Sequence, residues 1–232
     1  MFIAKGYRRT RLTDVGKELG LSHGMLYRYV ASKEALFELA LVYAMNPEAI
    51  SALVVPVPAP PSGRALKLVR AWAAEQARFT RLHAAAGDSA ADPADELGGI
   101  IDECYEFVER GQRVLALIKH SELDLPELSD FFFNQLRAAY IRELTDYVRR
   151  RTAAGDLRQV RDVPTAARFI IESIAWFGWH RKTDSSAARI SDEAARLTVR
   201  ELLLAAFVPP AQAGLTGKAE KFSLASSAAG GS

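Results

Sequence analysis

One run near the start of the chain constrains its fold more than any other. Residues 13–36 read as two short helical segments joined by a tight turn, with a third helix directly after them. Val15 and Leu19 lie four residues apart on the first segment, as do Leu26 and Val30 on the second, so each has one apolar stripe to bury. Helices this short are not stable alone. We therefore expect them to pack against each other.

The turn between the two segments carries the residues that such a junction needs. Gly20 suits the left-handed conformation that ends a helix, and the Ser22 hydroxyl can accept a hydrogen bond from the free backbone N–H groups of the next helix. The run therefore predicts a helix-turn-helix, whose second helix enters the major groove of DNA. At its start, His23, Gly24 and Met25 would face bases. Tyr27, Arg28, Tyr29 and Lys33 would lie along the phosphates.

Four stretches of the same region carry a family resemblance: Gly6-Tyr7, 12–16, 20–30 and 32–36. Residues 1–45 resemble the N-terminal domain of the TetR (tetracycline-repressor-like) family of transcriptional regulators. The resemblance implies a recognition helix from Ser22 to Tyr29, phosphate contacts from Tyr27 and Lys33, and Thr13 on the preceding helix. The predicted DNA-binding residues are Arg11, Thr13, Ser22, His23, Gly24, Met25, Tyr27, Arg28, Tyr29 and Lys33. The other interpretation makes Tyr27 and Tyr29 half-buried aromatics of a helical hairpin.

The chain departs from the family pattern in two places. Gly16 stands where the family usually has alanine, which costs a helix interior about 1 kcal/mol. Of the family's first helix, only Phe2, Ile3 and Ala4 remain as its apolar end. We expect the true start to lie upstream of Met1. The alternative is a shortened protein with an under-filled three-helix core and weaker DNA binding.

The charge of the chain is unevenly distributed. Its net charge is +2, but residues 1–33 hold seven basic and two acidic residues, a charge of +5, which leaves −3 for the remainder. The basic residues are Lys5, Arg8, Arg9, Arg11, Lys17, Arg28 and Lys33. A basic head on a mildly acidic body suits one end that faces phosphates, with an affinity that falls as salt rises.

The rest of the chain divides at its helix breakers. A helix capped by Ser32 is stopped by Asn46-Pro47, and the segment 56–63 is too rich in proline for a helix. Helical patterns follow at 64–86 and at 94–120, where Gly111 is a candidate bend or break. The pattern at 131–151 has Gly155 as its C-cap, Asp162-Val163-Pro164 starts the next, which runs to about 182, and Ser191 caps the last, at 191–207. No strand pattern of useful length occurs. The fold predicted is all-α. The domains are a helix-turn-helix domain at 1–46, a Pro-rich linker or loop at 47–63, a helical effector-binding and dimerisation domain at 64–208, and a disordered tail at 209–232.

The last two helical patterns have apolar faces suited to a subunit interface. The predicted dimerisation residues are Ile171, Ile174, Ala175, Gly178, Leu202 and Leu203. Alternatively, these faces complete the core of the monomer. A two-fold dimer places two heads on successive major grooves about 34–36 Å apart, and members of the family dimerise through a four-helix bundle of their last helices. We therefore expect a homodimer.

The middle segments hold more aromatic surface than a tight bundle of small residues needs. We predict a pocket for an apolar or aromatic small-molecule effector, lined by Trp72, Phe79, Tyr105, Phe132 and Trp176. For each of these residues, packing in the core is the alternative. By the resemblance, the expected function is repression at an inverted-repeat DNA operator, relieved when an effector changes the separation of the two heads.

Other classes of function find less support. Asp102, Glu103, Glu106 and Glu109 recur along one helix, as on a solvated face, and no nucleophile and base can be assembled around them, so we expect no enzyme. Cys104 is the single cysteine, no metal-ligand spacing occurs, and no cofactor is expected. The chain has no apolar run of membrane-spanning length and no secretory signal, which predicts a cytoplasmic protein. A dimeric ligand- or partner-binding protein that has lost DNA binding with its first helix remains the alternative.

Overall fold

The computed structural model describes residues 1–87, 91–187 and 189–210, and these residues form helices and no β-strand. The predicted all-α class is confirmed. The eleven α-helices of the described residues are α1 Phe2–Arg9, α2 Leu12–Glu18, α3 His23–Leu26, α4 Lys33–Met45, α5 Arg64–Gln76, α6 Thr80–Ala84, α7 Pro93–His120, α8 Pro126–Ser129, α9 Arg137–Ala154, α10 Val163–Gly178 and α11 Asp192–Phe207. The predicted tail from residue 211 onward lies outside the described residues.

Side-chain caps fix where several helices begin. The hydroxyls of Ser22, Ser32 and Ser191 each accept from the backbone N–H three residues on, at 3.3, 3.2 and 3.1 Å. The Asp162 carboxylate does the same for α10 at 2.7 Å. Gly155 ends α9 in the left-handed conformation, with φ of 84°. Each such N-cap contributes about 1 kcal/mol, and all five positions were predicted from the sequence.

Helix α7 is the centre of the body and packs against α10, α11, α4 and α1. Its apolar face is buried along its whole length, from Leu97 to Ile118. The sequence suggested that Gly111 could bend or divide this helix, but α7 is continuous through it. The ring of Trp72 packs closely on this glycine, since a Cβ at residue 111 would lie 3.1 Å from that ring.

The predicted helix over residues 64–86 is divided in two. The chain breaks between α5 and α6 at Phe79, whose φ of 44° is left-handed and unusual for a bulky residue. Glu103 of α7 stabilises the break, because its carboxylate accepts from the backbone N–H groups of Thr80 and Arg81 at 2.8 and 3.0 Å. The division therefore depends on a residue more than twenty positions away.

Two further boundaries differ from the prediction. The segment predicted to start at residue 131 begins with α8 and continues through a π-helical turn, Asp130–Leu136, into α9. Helix α10 ends at Gly178 rather than near residue 182, and a 3₁₀ turn, His180–Thr183, follows it.

A buried ion pair ties α7 to α9. Arg151 donates through Nε and Nη2 to both carboxylate oxygens of Glu96, at 2.8 and 2.7 Å, and through Nη1 to Asp156 at 3.1 Å. The Glu96 side chain is only 8% exposed and that of Arg151 12%. The hydrogen bonds that Arg151 donates to Glu96 raise the pKa of the Arg151 guanidinium despite its burial, so Arg151 is charged at neutral pH.

The first residues of the chain dock directly on the body. Helix α1 is kinked at Gly6, whose φ of 78° is left-handed, and Phe2 packs edge-on against Phe37 of α4 with 5.2 Å between ring centroids. A Cβ at residue 6 would lie 2.7 Å from the carbonyl oxygen of His120. The Arg8 N–H donates to the Asp124 carboxylate at 2.6 Å. The head therefore rests on the C-terminal end of α7.

Part of the proline-rich stretch is folded and contacts the head. Pro47–Ala52 form a 3₁₀ turn, and Val57 pairs with the backbone that follows α3. The Val57 N–H donates to the Tyr29 carbonyl at 2.8 Å, and the Ala31 N–H donates to the Val57 carbonyl at 2.9 Å. The stretch up to residue 57 is thus fastened to the head.

Candidate nucleic-acid interface and ligand cavity

The helix-turn-helix forms around a small core of its own. Gly20 has the left-handed φ of 67° that the sequence predicted, and Leu26, Val30 and Ala35 are buried together. Leu19 departs from the prediction, because it is 61% exposed. It borders an apolar groove of about 680 Å³ that runs beside Phe2 between α2 and α4.

The second helix of the motif is shorter than expected. Helix α3 spans His23–Leu26, and residues 27–29 form turns closed by the Arg28 and Tyr29 N–H groups. Met25, Tyr27 and Tyr29 are large side chains that the head leaves exposed. The exposed members of the predicted DNA-binding set are Arg11, Thr13, Ser22, Gly24, Met25, Tyr27, Arg28 and Tyr29. The side chain of His23 lies outside the described part of the chain.

Lys33, the last member of that set, is partly buried and held by α1. Its ammonium donates to the Arg8 carbonyl at 3.0 Å and lies 4.4 Å from the centroid of the Tyr7 ring. The Tyr7 hydroxyl in turn donates to Glu34 at 2.8 Å. The position of Lys33 therefore depends on the docking of α1.

The charge of the head remains largely available at its surface. Lys5 has an acidic neighbour, Asp14, at 3.8 Å. The exposed basic residues around the motif are Arg8, Arg9, Arg11, Lys17 and Arg28. This distribution produces a positive field around the exposed end of the motif, as phosphate binding requires.

The body encloses a cavity of about 280 Å³ between α7, α9, α10 and the π-helical turn. Of the five aromatic residues predicted to line a pocket, Phe79 and Phe132 line this cavity. The remaining lining is formed by Cys104, Phe107, Val108, Leu115, Lys119, Phe133, Leu136, Arg137, Tyr140, Arg168, Ile171, Glu172, Ala175, Trp179 and His180.

The structure places the other three predicted aromatic residues elsewhere. Trp72 packs on Gly111 and Phe107 beside α4. Tyr105 is buried in the core near Gly178. Trp176 is exposed on the outer surface of α10. Aromatic content indicated a cavity, but a helix turns its side chains to different sides, and the sequence pattern alone did not separate those sides.

The polar lining was missed by the sequence analysis. Arg137 of α9 donates to Glu172 of α10 at 2.7 Å, and Arg168 donates to the same oxygen. Burial raises the pKa of the Cys104 thiol to about 12, which outweighs the opposing effect of its hydrogen bond with Tyr140. Cys104 is thus a neutral thiol, as expected for a buried cysteine. Arg137 and Glu172 lie 35 positions apart, so only the packing of two helices reveals the pair.

Most of the predicted dimerisation residues pack in the interior of the monomer. Ile171, Ile174, Gly178 and Leu203 are buried in the core, and Ala175 lines the cavity. Leu202 alone among the six is well exposed, at 63%. The alternative, that these faces complete the monomer core, describes the structure better.

The opposite sides of the same two helices carry a different apolar face. Phe169 and Trp176 of α10, with Leu197 and Leu202 of α11, are large apolar side chains at the surface. The seven-residue spacing places Phe169 and Trp176 on one side of α10. Leu197 and Leu202 are five residues apart and therefore lie about 140° apart around α11, which packs on α10. We call these four residues the outer face. Both sides of α10 are apolar, so periodicity did not show which one is exposed.

The acidic residues of α7 have structural partners. Asp102 lies 3.1 Å from Arg200 of α11, Glu106 lies 2.9 Å from Arg196, and Glu103 caps α6. In the described ranges, no group of three or more metal-ligating side chains occurs. No helix among the described residues is long and apolar enough to cross a membrane.

A helix-turn-helix with an exposed basic surface, attached to an all-helical body with a cavity, defines a DNA-binding transcriptional regulator. Residues 1–40 match the family model of bacterial regulatory proteins of the tetR family, and residues 108–207 match that of the C-terminal domain of AefR-like transcriptional repressors. The chain belongs to the TetR family of regulators, as its sequence suggested.

The chain is similar to several solved structures of regulators. The ketosteroid transcriptional regulator KstR2 of Mycobacterium tuberculosis is 19% identical, with a TM-score of 0.52 and 90% of each chain covered. AibR in complex with isovaleryl coenzyme A and operator DNA is 18% identical, with a TM-score of 0.46 over 87% of this chain and 91% of that one. A putative TetR-family regulator from Mesorhizobium loti is 17% identical, with a TM-score of 0.45 over 90% and 91%. No curated protein matches the chain.

Proposed function

We propose that the protein is a homodimeric repressor that binds an inverted-repeat operator and is released from it by a small molecule bound in the body cavity. The observation that carries this proposal is that one helix, α7, both lines the cavity and supports the head. Lys119 borders the cavity, the carbonyl of the next residue touches Gly6, and Asp124 holds Arg8. An effector that displaces the end of α7 would therefore displace the head.

In the proposed complex, the exposed start of α3 meets base edges. His23, Gly24 and Met25 take this role because the N-terminal residues of a recognition helix enter the major groove. Phosphate contacts fall to the surrounding donors Arg11, Thr13, Ser22, Tyr27, Arg28, Tyr29 and Lys33. Such contacts position the protein without reading sequence.

The dimer forms, in this proposal, through the outer face of α10 and α11. Two copies of these helices would make a four-helix bundle that removes Phe169, Trp176, Leu197 and Leu202 from water. A large apolar residue that is newly buried contributes about 1.5–3 kcal/mol. The head is formed by other helices, so dimerisation leaves it accessible to DNA.

Gel-shift titration with the DNA upstream of the protein's own gene tests operator binding. Lys33→Met should weaken binding to this DNA and to unrelated DNA alike, and should lower the slope of log affinity against log salt by about one unit. Tyr27→Phe should weaken both as well. Lys67→Met, at an exposed position on α5, is the matched control with an unchanged slope. A change in base preference at constant general affinity would contradict the assigned roles.

Sedimentation velocity tests the dimer. Leu202→Arg should give a monomer and abolish the preference for a two-half-site operator, because one head loses its partner. Val54→Arg places the same charge at an exposed valine away from α10 and α11, and should leave the dimer intact. A Leu202→Arg protein that sediments as a dimer would refute this interface.

A further inference from the structure

The rim of the body cavity is cationic, while its interior is apolar. Phe79, Phe107, Val108 and Phe132 are buried apolar residues of its lining. Lys119, Arg137 and Arg168 are the lysine and arginine residues of the lining, and Glu172 is its single acidic residue among those that the structure describes. Burial lowers the pKa of His180, so its imidazole is neutral at pH 7. The charges of the lining side chains sum to +2 around an apolar space, although Glu122, outside the lining, pairs with Lys119 at 2.7 Å.

The charged residues of the rim are arranged around one carboxylate. Arg137, from α9, and Arg168, from α10, both donate to Oε1 of Glu172. The Arg137 side chain is mostly buried, whereas those of Arg168 and Lys119 are about half exposed. A guanidinium has five N–H donors in a planar fork that matches a carboxylate. The rim thus has more cationic donors than Glu172 can occupy.

We infer that the cavity binds a small monocarboxylic acid whose apolar body fills the aromatic interior and whose carboxylate is held by Arg137 and Arg168. This inference rests on the proposed role of the cavity as the effector site. An apolar cavity of about 150 Å³ holds benzene. By that measure, the 280 Å³ available here accommodates a body and carboxylate of about eleven non-hydrogen atoms.

The same geometry predicts that Glu172 weakens the binding of an acidic ligand. Its carboxylate occupies donors that the incoming carboxylate would use, and it contributes the one negative charge of the lining. Removing that charge should therefore strengthen binding of an acid. Removing the Arg137 charge should weaken it. General damage to the cavity would weaken binding in both variants, so opposite signs distinguish the two causes.

Isothermal titration calorimetry of the full chain provides the test, with octanoate, 3-phenylpropanoate and cyclohexylacetate as probes, each beside its neutral amide. At least one acid should bind about tenfold or more tightly than its amide, because hydrogen bonds to charged groups are stronger than neutral ones. The Arg137→Gln variant should lose most of this difference, with Arg168 still present, and keep its affinity for the amide. Arg149→Gln, on the same helix but paired with Asp146 outside the cavity, is the matched control.

The Glu172→Gln variant should bind the preferred acid several-fold more tightly than the wild-type protein. The inference is overturned if no acid binds, if each amide binds as tightly as its acid, or if Glu172→Gln weakens binding of the acid. Gel shifts without added acid test operator binding independently of acid binding, so a failure of this inference can be told apart from a failure of the proposed function. Operator binding with no acid binding would overturn the ligand class alone, whereas acid binding with no operator binding would overturn the repressor proposal.

Discussion

Replacing Gly6 by alanine tests the docking of the head on α7. Two costs arise from the structure. The φ of 78° and ψ of 171° at Gly6 lie in a region that is almost restricted to glycine, so a residue with a Cβ pays about 1–3 kcal/mol there. The new methyl would also lie 2.7 Å from the His120 carbonyl oxygen, so that backbone must move. Overpacking of this kind costs about 1–3 kcal/mol more.

Gly20→Ala provides the matched control. Gly20 has a similar φ of 67°, but a Cβ there would meet nothing within 4 Å. Gly20→Ala should therefore lower the free energy of unfolding only by the cost of the left-handed conformation. Replacing a glycine also reduces the conformational entropy of the unfolded chain, but this effect is common to both variants. The free energy of unfolding of Gly6→Ala should fall below that of Gly20→Ala by about 1–3 kcal/mol.

Urea denaturation followed by circular dichroism measures both free energies. Operator affinity in a gel shift should fall in Gly6→Ala as well, because Arg8 and Lys33 are positioned by the same contact. A Gly6→Ala protein as stable as Gly20→Ala would show that the head does not rest on the end of α7, and the proposed coupling between cavity and head would fail with it.

Three further substitutions test the body, the cavity lining and the linker. Glu96→Gln should lower the free energy of unfolding by about 2 kcal/mol, because it removes one of the two carboxylates that pair with the buried Arg151 and leaves only Asp156. Glu122→Gln, at an exposed pair with Lys119, should change it by less than about 1 kcal/mol, and equal effects in urea denaturation would contradict this reasoning. The raised pKa of Cys104, about 12, exceeds the value of about 8.5 in an unfolded chain. The unfolded state therefore loses this proton first, and the free energy of unfolding declines as pH rises above about 8.5. Cys104→Ala should make the decline between pH 8 and 10 shallower, and an unchanged slope would refute the burial of the thiol. Val57→Pro removes the backbone N–H that donates to the Tyr29 carbonyl and should weaken operator binding in a gel shift. Val54→Pro, at an 85% exposed position, should leave operator binding unchanged. Equal loss in both variants would count against a role for the backbone pairing of Val57.

Features set by neighbouring residues could be predicted from the sequence. Ser22, Ser32 and Ser191 were correctly expected to begin helices, because a cap needs only a hydroxyl and the N–H groups of the next turn. Gly20 and Gly155 were expected in the left-handed conformation for an equally local reason. The helix-turn-helix could be recognised because such signals follow one another in a fixed order over a short stretch.

Features that depend on distant parts of the chain could not be predicted. The break at Phe79 is stabilised by Glu103, and the rim of the cavity depends on Arg137 meeting Glu172. The sequence also did not show which side of α10 is buried, because Ile174 and Trp176 are both large and apolar. Periodicity reports that a helix has an apolar side, but packing decides what lies against it.

The bridge between Val57 and the backbone after α3 has a practical consequence for exchanging reading heads between regulators. A chimera that joins residues 1–46 to a foreign body would leave the Tyr29 carbonyl and the Ala31 N–H without the partners that Val57 provides. A junction placed after Val57, among Pro58, Ala59 and Pro60, would transplant the motif with its brace attached. The position of the cut, rather than the choice of body, would then decide whether the transplanted head keeps its shape.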